Sequence, residues 1–282
     1  MVTTIIVNFF GADLTVGAVT SVLTDAPACK IVVVDNSECP VETERLKASL
    51  HGRAELLTNR KNLGFGAACN IGLSAADADY VMLLNPDARV LPGCIPTLAS
   101  VLDEHPELGA VSPVQWWEPS GRWLLPPAWL PSGIGMWSLE QAWRQPRWAK
   151  RMSDAYRRLA LRAWTERGRW VRQRALSGGA MMVRRTAALA AGGLFDPAYF
   201  MYYEDSDLCL RLKRSGFALG LAPGATALHE WHHSAAKVQM MEESKSTFLK
   251  QHFEGRGDWE RRLMYCTAQP ARPHPLDYVP LP

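Results

Sequence analysis

The first hundred residues alternate short apolar runs with longer stretches of helical spacing. The runs are rich in Val, Ile and Leu and lack polar alternation, which is typical of parallel strands that helices cover on both faces. The pattern predicts strands at Thr4–Phe9, Lys30–Val34, Glu55–Leu57 and Tyr80–Leu84. It predicts helices at Asp13–Leu23, Val41–Leu50 and Gly66–Ala76. This β-α-β order indicates an α/β fold with an open, mainly parallel, doubly wound sheet.

Small amides and carboxylates follow all four predicted strands. In doubly wound sheets, ligands bind beyond the carboxyl ends of the strands, so we expect these side chains to converge on one crevice. A single acid at a strand end is more often a helix cap or turn residue, but four such ends together favour a binding site. The residues concerned are Asn8, Asp35–Asn36–Ser37, Asn59–Asn62 and Asn85–Pro86–Asp87.

Several common nucleotide and catalytic motifs are absent from the sequence. Gly64, Gly66 and Gly72 do not form the dinucleotide-binding fingerprint, because their segment follows the third strand and Cys69 stands where the last glycine belongs. Neither a P-loop nor a G-x-S-x-G nucleophile elbow occurs. These observations argue against a dinucleotide-binding domain, a P-loop nucleotidase and a serine hydrolase.

Charge is concentrated in one stretch of the chain. Residues 144–174 hold eleven Lys or Arg and two acids, a net charge of +9, whereas the remaining 20 basic and 26 acidic residues give −6. Three tryptophans lie in the same stretch and Trp143 directly precedes it, and this mixture favours contact with an anionic surface, although a solvated helical face is the simpler reading. A sequence pI near 8.5 and the absence of a recognisable nucleic-acid module lead us to expect no nucleic acid partner.

The six cysteines and the chain start bear on location. The cysteines lack paired or metal-finger spacing, which favours reduced thiols in the cytoplasm and disfavours a zinc or redox protein. The first residues lack a basic leader, and no apolar stretch approaches the roughly 18 residues of a spanning helix. We therefore expect a cytoplasmic protein that is peripheral, through residues 144–174, on the inner face of the cell membrane.

The ordered motifs of the chain resemble those of family 2 glycosyltransferases with the GT-A fold, in particular the rhamnosyltransferase-like branch. They are IIVNF, VVDNS, NRKNLGFGAACNIGL, LLNPDARV, SGGAMMVRR, FDPAYFMYYEDSDLCLRLKRSGF and ALHEWHHS. The resemblance implies one domain over residues 1–253. Within it we expect a nucleotide-sugar half at 1–112, a basic, Trp-rich insertion at 113–176 and an acceptor half at 177–253. Prolines in residues 113–131 predict a loop that bounds the insertion, and those after Phe253 predict an extended tail at 254–282.

The resemblance implies a donor site at the first four strand ends. Asp35 would contact the base or ribose, and Asn85–Pro86–Asp87 would replace the family's D-x-D motif, with an amide at its first position. The implied nucleotide-sugar ligands are Asn8, Asp35, Asn36, Asn62, Gly64, Phe65, Asn85 and Asp87.

A divalent cation is the expected cofactor. Mg²⁺ or Mn²⁺ bridging a diphosphate needs only one or two protein ligands, so Asp87 can suffice as the one carboxylate. The resemblance adds His229 as a second ligand, which suits Mn²⁺ better than Mg²⁺, with His232 and His233 as competitors.

The chemistry is assigned to the Glu204–Asp205 pair. The resemblance makes Asp205 the base that deprotonates the acceptor hydroxyl, with Glu204 holding the acceptor or replacing Asp205 as base. Successive helical side chains diverge by about 100°, so only one of them faces a given proton. Alternatively, Glu204, Asp205 and Asp207 only complement the N-terminal dipole of a helix that ends near Arg214.

Glycines and aromatic residues are expected on the acceptor side. Glycine permits close backbone approach to a sugar, and aromatic rings suit the apolar faces of sugars, although a turn and a core are the simpler readings. The residues concerned are Gly178, Gly179, Tyr202, Tyr203 and Trp231.

The resemblance implies an inverting glycosyltransferase of cell-surface glycan synthesis. The donor would be a dTDP- or UDP-sugar, with dTDP-rhamnose as the specific candidate, and the acceptor a glycan or lipid-linked saccharide. Two alternatives stay open. One is a catalytically inactive relative that binds nucleotide or glycan, which Asp87, Asp205 and His229 together disfavour and Asn85 keeps open. The other is a sugar-phosphate nucleotidyltransferase, which usually carries a Gly-rich basic loop that the first strand lacks here.

Overall fold

A computed structural model describes residues 1–117, 169–230 and 235–254, together with the single positions 159, 162 and 166. The strands are β1 Val2–Asn8, β2 Lys30–Asp35, β3 Glu55–Thr58, β4 Tyr80–Leu84, β5 Ala88–Val90, β6 Leu108–Trp116, β7 Val171–Arg172, β8 Ala180–Arg184 and β9 Ala218–His229. The helices are α1 Ala12–Asp25, α2 Pro40–Leu50, α3 Phe65–Ser74, α4 Cys94–Glu104, α5 Arg185–Ala190, α6 Glu204–Arg214 and α7 Ala235–Phe253.

All of these strands belong to one sheet with the order β3-β2-β1-β4-β8-β6-β9-β5, and β7 also pairs with β9. The first four strands are parallel neighbours. β8 is antiparallel to both β4 and β6, and β6 is parallel to β9. Six strands, β1–β4, β6 and β9, therefore point one way, and β5, β7 and β8 point the other way. The expected open, mainly parallel sheet is confirmed, with antiparallel strands in its second half.

Both faces of the sheet are covered. Two consecutive residues of β1, Ile5 and Ile6, belong to two different buried clusters. Ile6 packs with α1 and α4, and Ile5 packs with α3 and α6 on the opposite face. The lack of polar alternation in the strands is explained, since each side of the sheet is an apolar interior.

The elements predicted for the first hundred residues are all present, and each observed end lies within two residues of the predicted one. β1 stops at Asn8, and the next two side chains, Phe9 and Phe10, are 52% and 61% exposed. The expected loop from Pro113 begins later, because β6 continues to Trp116 as a buried strand beside β9. Pro113 is tolerated there at an irregularity of the β6–β9 register.

Only the end of the basic stretch 144–174 lies among the described residues. Arg169 pairs with Glu104, and Trp170 packs its ring against His105 with 5.6 Å between ring centroids. Val171 and Arg172 then join the sheet through β9. Most of the expected insertion, residues 118–168 apart from three single positions, lies outside the described residues, as do the tail 255–282 and the segment 231–234.

The helices of the described residues were compared with the length and hydropathy needed to cross a bilayer, and none meets both requirements. The five cysteines in the described part of the chain are free thiols.

Candidate active site

The strand directions bring the predicted site residues to one edge of the sheet. β1, β2 and β4 end there, and the register pairs Asn8 with Asp35. β9 ends at the same edge with His229, while the antiparallel strands β8 and β5 begin there. Ala88 pairs with His229, so the preceding Asp87 lies beside the histidine. The convergence expected from the strand ends is therefore present for the parallel half and extends to β8 and β9.

Asp35 is buried and held by protein donors on both carboxylate oxygens. Oδ1 accepts hydrogen bonds from Asn8 Nδ2 at 3.0 Å and from the Ser37 backbone N–H at 3.1 Å, and Oδ2 accepts from Thr43 Oγ1 at 2.6 Å. Asn8 is itself fully buried, and its Oδ1 accepts from Thr15 Oγ1 at 2.9 Å and from Gly11 N–H at 3.2 Å. Asn8 therefore positions Asp35 and α1, with its side-chain hydrogen bonds used inside the protein.

A second polar cluster joins the ends of β2 and β3 to the start of α3. Asn36 Nδ2 donates to Asn62 Oδ1 at 2.9 Å and to the Gly64 carbonyl at 3.1 Å, while Asn36 Oδ1 accepts from Asn59 Nδ2 at 2.8 Å. Asn62 Oδ1 also accepts from the Gly64 N–H at 3.0 Å. The loop before α3 is thus shaped by Asn36, which explains why amides rather than apolar residues follow these strands.

Gly64 lies where the donor side meets the segment before α6. Its φ is 82°, and a Cβ there would lie 2.1 Å from the Phe200 carbonyl oxygen. The next residue, Phe65, donates its N–H to that same oxygen at 2.8 Å. Only glycine fits this position.

Asp87 and His229 form the candidate metal pair. His229 Nε2 lies 3.3 Å from Asp87 Oδ1 and 3.3 Å from Asn85 Nδ2, and His229 is buried. Within the described residues, no group of three or more His, Cys, Asp or Glu side chains could enclose a metal ion. The pair is therefore an open half-site, which leaves the remaining ligand positions to phosphates and water.

The geometry of this pair fits a divalent cation. Two neighbouring ligands of an octahedral ion at 2.0–2.1 Å lie about 3 Å apart, close to the 3.3 Å between His229 Nε2 and Asp87 Oδ1. An imidazole nitrogen with a carboxylate oxygen suits Mn²⁺. His229 is thus the histidine at the edge of the sheet, whereas its competitors His232 and His233 lie outside the described residues.

Arg89 holds the turn that carries Asp87. Its guanidinium donates to the carbonyls of Pro86 and Ala88 at 2.8 Å each, and it packs against Gly17 of α1, where a Cβ would lie 2.4 Å from Nη2. Burial lowers the pKa of Arg89, and the nearby charges of Glu230 and Asp87 oppose this shift. Arg89 was not predicted as a site residue, although it lies two positions after Asp87 in the sequence.

Glu204 and Asp205 open helix α6 in different surroundings. Glu204 is buried, its Oε2 makes no hydrogen bond within the described structure, and burial with the charge of Asp205 raises its pKa to about 8. Asp205 is half-buried and accepts hydrogen bonds from Gly178 N–H at 3.1 Å and Ser206 N–H at 2.6 Å. Burial also raises the pKa of Asp205, and these hydrogen bonds oppose the rise. The two neighbours are therefore not equivalent acids.

A strained turn precedes these carboxylates. Tyr202 and Tyr203 have φ values of 70° and 64°, a left-handed conformation that is rare for bulky residues. Such strain is stored preferentially at functional sites. Burial raises the pKa of Tyr202 well above its ordinary value, and the charges of Glu204 and Asp87 add to the rise. Tyr202 thus lies close both to Glu204, which with Asp205 forms the candidate catalytic pair, and to Asp87 of the candidate metal pair.

Asp207, the third acid of the cluster, has a structural role. Its Oδ2 accepts from Arg211 Nε at 2.7 Å, and its Oδ1 lies 2.8 Å from His252 Nε2 on α7. Arg211 also donates to the carbonyls of Ala191 and Gly193. Asp207 therefore fastens α7 to α6, which sequence spacing did not reveal because His252 is distant along the chain.

Two consecutive glycines lie beside both candidate pairs, Gly178 against Asp205 and Gly179 against His229. Gly178 N–H donates to Asp205 Oδ2, and a Cβ on Gly179 would lie 2.3 Å from His229 Cε1. Consecutive Cα atoms are about 3.8 Å apart, so Asp205 and His229 lie beside the same short segment of backbone. Of the expected aromatic residues, Tyr203 packs on Phe248 with 5.4 Å between ring centroids, and Trp231 lies outside the described residues.

Comparison with known families and sequences gives a consistent result. Residues 3–160 match the family model described as glycosyl transferase family 2. The N-acetylglucosaminyl-diphospho-decaprenol L-rhamnosyltransferase of Mycobacterium tuberculosis strain H37Rv is 31% identical over an alignment of 246 residues that covers 81% of this chain and 76% of that protein. Rhamnosyltransferase WbbL of Escherichia coli K12 is 46% identical over 57 residues, 20% of this chain and 21% of that protein.

Solved structures share the fold at low sequence identity. GalNAc-T7 with UDP, GalNAc and Mn²⁺ superposes with a TM-score of 0.60 at 16% identity, covering 95% of this chain and 54% of that chain. Mannosyltransferase PcManGT from Pyrobaculum calidifontis, in complex with GDP-Man and Mn²⁺, gives a TM-score of 0.59 at 16% identity, with 94% and 68% coverage. The chain thus spans about half the length of the GalNAc-T7 chain, and the expected GT-A fold is confirmed.

Proposed function

This chain belongs to glycosyl transferase family 2, and on that basis we propose that it is a metal-dependent, inverting transferase that moves rhamnose from dTDP-rhamnose to a lipid-linked saccharide. The relative in Mycobacterium tuberculosis supports the proposed sugar and acceptor class, since its name specifies an L-rhamnosyl group and a decaprenol-linked acceptor. Family membership removes the nucleotidyltransferase alternative. An inactive relative remains the alternative that the experiment below addresses.

The observation that carries the proposal is the contact of adjacent glycines with two functional pairs. Gly179 lies against His229 of the metal pair, and Gly178 binds Asp205 of the catalytic pair. A sugar between them would have its diphosphate on one side and an acceptor hydroxyl on the other. This is the arrangement that a direct displacement at the anomeric carbon requires.

Asp87 and His229 would hold the cation, which when bound neutralises charge on the departing diphosphate. On the nucleoside side, we propose that Asn36, Asn62, Gly64 and Phe65 line the pocket, and that the remaining acceptor capacity of Asp35 Oδ2 faces the base or ribose. Ser37 adds a buried hydroxyl with no hydrogen-bond partner within the described residues. An unsatisfied polar group in this position fits a polar ligand.

We assign different roles to the two carboxylates. With a pKa near 8, Glu204 is protonated at neutral pH, and its side chain donates rather than accepts a hydrogen bond. Asp205, whose charged form accepts hydrogen bonds from Gly178 and Ser206, is then the base for the acceptor hydroxyl. Burial raises the pKa of Asp205, which makes its charged form a stronger base. Two neighbouring acids with separated pKa values are a common way to divide catalytic roles.

The charge of residues 144–174 supports our proposal that the protein is located at the inner face of the membrane. The basic stretch 144–174 lies between the two halves of the sequence, and its net charge of +9 suits an anionic lipid surface. Pelleting with anionic vesicles at low salt tests this part. Protein that stays in the supernatant contradicts it.

Calorimetric titration with dTDP, UDP and GDP, each in Mn²⁺, Mg²⁺ or EDTA, tests the donor site. We expect dTDP to bind only with a divalent ion, and Asp87→Asn to weaken that binding by about tenfold or more, since a cation ligand is lost. The exposed variant Asp77→Asn is the matched control.

Transfer from dTDP-rhamnose to a polyprenyl-diphosphate saccharide, with the product anomer read by NMR, tests turnover and inversion. Nucleotide binding without turnover on any acceptor would favour the inactive relative.

A further inference from the structure

Strand β6 carries two buried polar side chains in an apolar sequence. Ser112 is fully buried and Gln115 is 3% exposed. Neither residue was predicted to belong to the site. Burying a hydroxyl and an amide costs free energy unless both are hydrogen-bonded, so their partners show what they do.

The partners form a chain with a defined direction. Ser112 Oγ donates to a backbone carbonyl, that of Ala180 at 2.8 Å, with the Pro113 carbonyl also near at 3.2 Å. Because carbonyls only accept, the Ser112 proton is committed to them, and its oxygen accepts from Gln115 Nε2 at 3.4 Å. The amide of Gln115 is thereby oriented, with Oε1 turned to His229 Nδ1 at 3.0 Å. An amide oxygen cannot donate, so Nδ1 of His229 carries the proton.

This protonation decides what the other ring nitrogen can do. A neutral imidazole has one N–H, so a proton on Nδ1 leaves a lone pair on Nε2. Nε2 is the atom that faces Asp87 Oδ1 and Asn85 Nδ2. The ring is also confined, because a Cβ on Gly179 would lie 2.3 Å from its Cε1.

We propose that Gln115, oriented by Ser112, is a positioning residue that holds His229 as the Nδ1–H tautomer and directs its Nε2 lone pair to the donor cation. The inference rests on the proposed role of His229 as a metal ligand. The new element is the cause of the His229 orientation, a chain of hydrogen bonds that runs from the Ala180 carbonyl in β8 through Ser112 and Gln115 to the ring. Outer hydrogen bonds of this kind fix both the tautomer and the ring direction of metal-binding histidines.

The tautomer is read directly by ¹⁵N NMR of histidine-labelled protein without metal, at a pH where imidazole is neutral. We expect His229 to show a protonated Nδ1 and an unprotonated Nε2, with its signals identified by their loss in His229→Gln. Gln115→Met, of similar volume but unable to accept this proton, should abolish the preference. Gln115→Glu should keep it. A protonated Nε2 in the unaltered protein overturns the proposal.

Metal affinity provides the second readout. Free Mn²⁺ is counted by electron paramagnetic resonance with protein alone and with dTDP or UDP. Gln115→Met should weaken Mn²⁺ binding by about tenfold to a hundredfold, and Gln115→Glu should restore it, with thermal unfolding verifying that both variants fold. If Gln115→Met does not fold, Ser112→Ala, which releases the amide, should cause a smaller loss of affinity in the same direction.

The controls separate this inference from the proposed function. If His229→Gln binds Mn²⁺ as the unaltered protein does, the metal site itself is wrong. If His229→Gln weakens binding and a folded Gln115→Met leaves both affinity and tautomer unchanged, only the role of Gln115 is wrong.

Discussion

Two buried carboxylates at the same edge of the sheet have opposite surroundings. Asp35, at the end of β2, receives hydrogen bonds on both oxygens, from Asn8, Thr43 and the backbone. Glu204, at the start of α6, has an oxygen with no hydrogen-bond partner within the described structure and a pKa raised to about 8 by burial and by Asp205. The first region fixes a shape with satisfied groups. The second leaves a carboxyl oxygen unsatisfied beside the proposed base Asp205, as is common at functional sites.

The largest effect should come from the acid beside Glu204. We expect Asp205→Asn to reduce kcat by about 10²–10⁴-fold, because the amide cannot take the acceptor proton, while nucleotide affinity changes by about twofold at most. Steady-state kinetics and calorimetry on the same preparation measure both quantities. Glu204→Gln is the matched comparison, since it removes the neighbouring acid. A larger kcat loss in Glu204→Gln than in Asp205→Asn would exchange the two assigned roles.

Sequence spacing predicted this region unevenly, for a physical reason. The strands and helices up to Leu84 follow from local hydrophobic patterns, and the parallel order places Asn8 and Asp35 together. The second half depends on β8 entering between β4 and β6, a long-range pairing that no local pattern specifies. Asp87 and His229 were named from the resemblance, but their proximity results from the β5–β9 register.

Some functional neighbours were visible in the sequence without being interpretable. Ser112 and Gln115 are polar residues in an otherwise apolar strand, which is a usable signal of buried hydrogen bonding, but the partner His229 lies more than a hundred residues away. Asp207 shows the reverse case. From the sequence it was expected only as one of three acids that complement the helix dipole, and its pairing with Arg211 and His252 gives it a specific structural role.

The second-largest expected effect is on stability, and it follows from the raised pKa of Glu204. Folded Glu204 keeps its proton up to about pH 8, whereas the unfolded chain releases it near the ordinary value of 4.5. The folded state therefore binds more protons in this window, and the free energy of unfolding falls as pH rises through it. We expect Glu204→Gln to remove this loss, raising Tm by about 3 °C or more at pH 8 with little change at pH 4.5.

Thermal unfolding at several pH values measures this effect. Glu44→Gln, an exposed acid that pairs with Lys47, is the matched control and should shift Tm little at either pH. An equal Tm shift for Glu204→Gln at pH 4.5 and pH 8 would show that Glu204 is ionised in the folded protein throughout.

The smallest effect probes the satisfied region. Thr43→Val removes the hydroxyl that donates to Asp35 Oδ2 at 2.6 Å and keeps the side-chain shape. We expect it to lower the free energy of unfolding by about 1 kcal/mol or somewhat more, since a charged acceptor loses a donor. Thr24→Val, at an exposed position of α1 where the hydroxyl donates to the Thr20 carbonyl of the same helix, should change stability less. Chemical denaturation of both variants gives the difference, and equal losses would mean that Asp35 does not depend on Thr43.

The glycine at the start of α3 limits how this enzyme can diversify. Because a side chain at Gly64 would meet the Phe200 carbonyl, and Phe65 binds that same oxygen, the loop that shapes the nucleotide pocket rests on the segment leading to the catalytic acids. A lengthened or redirected 195–203 segment, as an engineer would try for a new acceptor, would also displace the nucleotide loop. On the proposed site assignments, a change made for a new acceptor would therefore disturb the donor side as well, and directed evolution of one specificity should be expected to require compensating changes in the other.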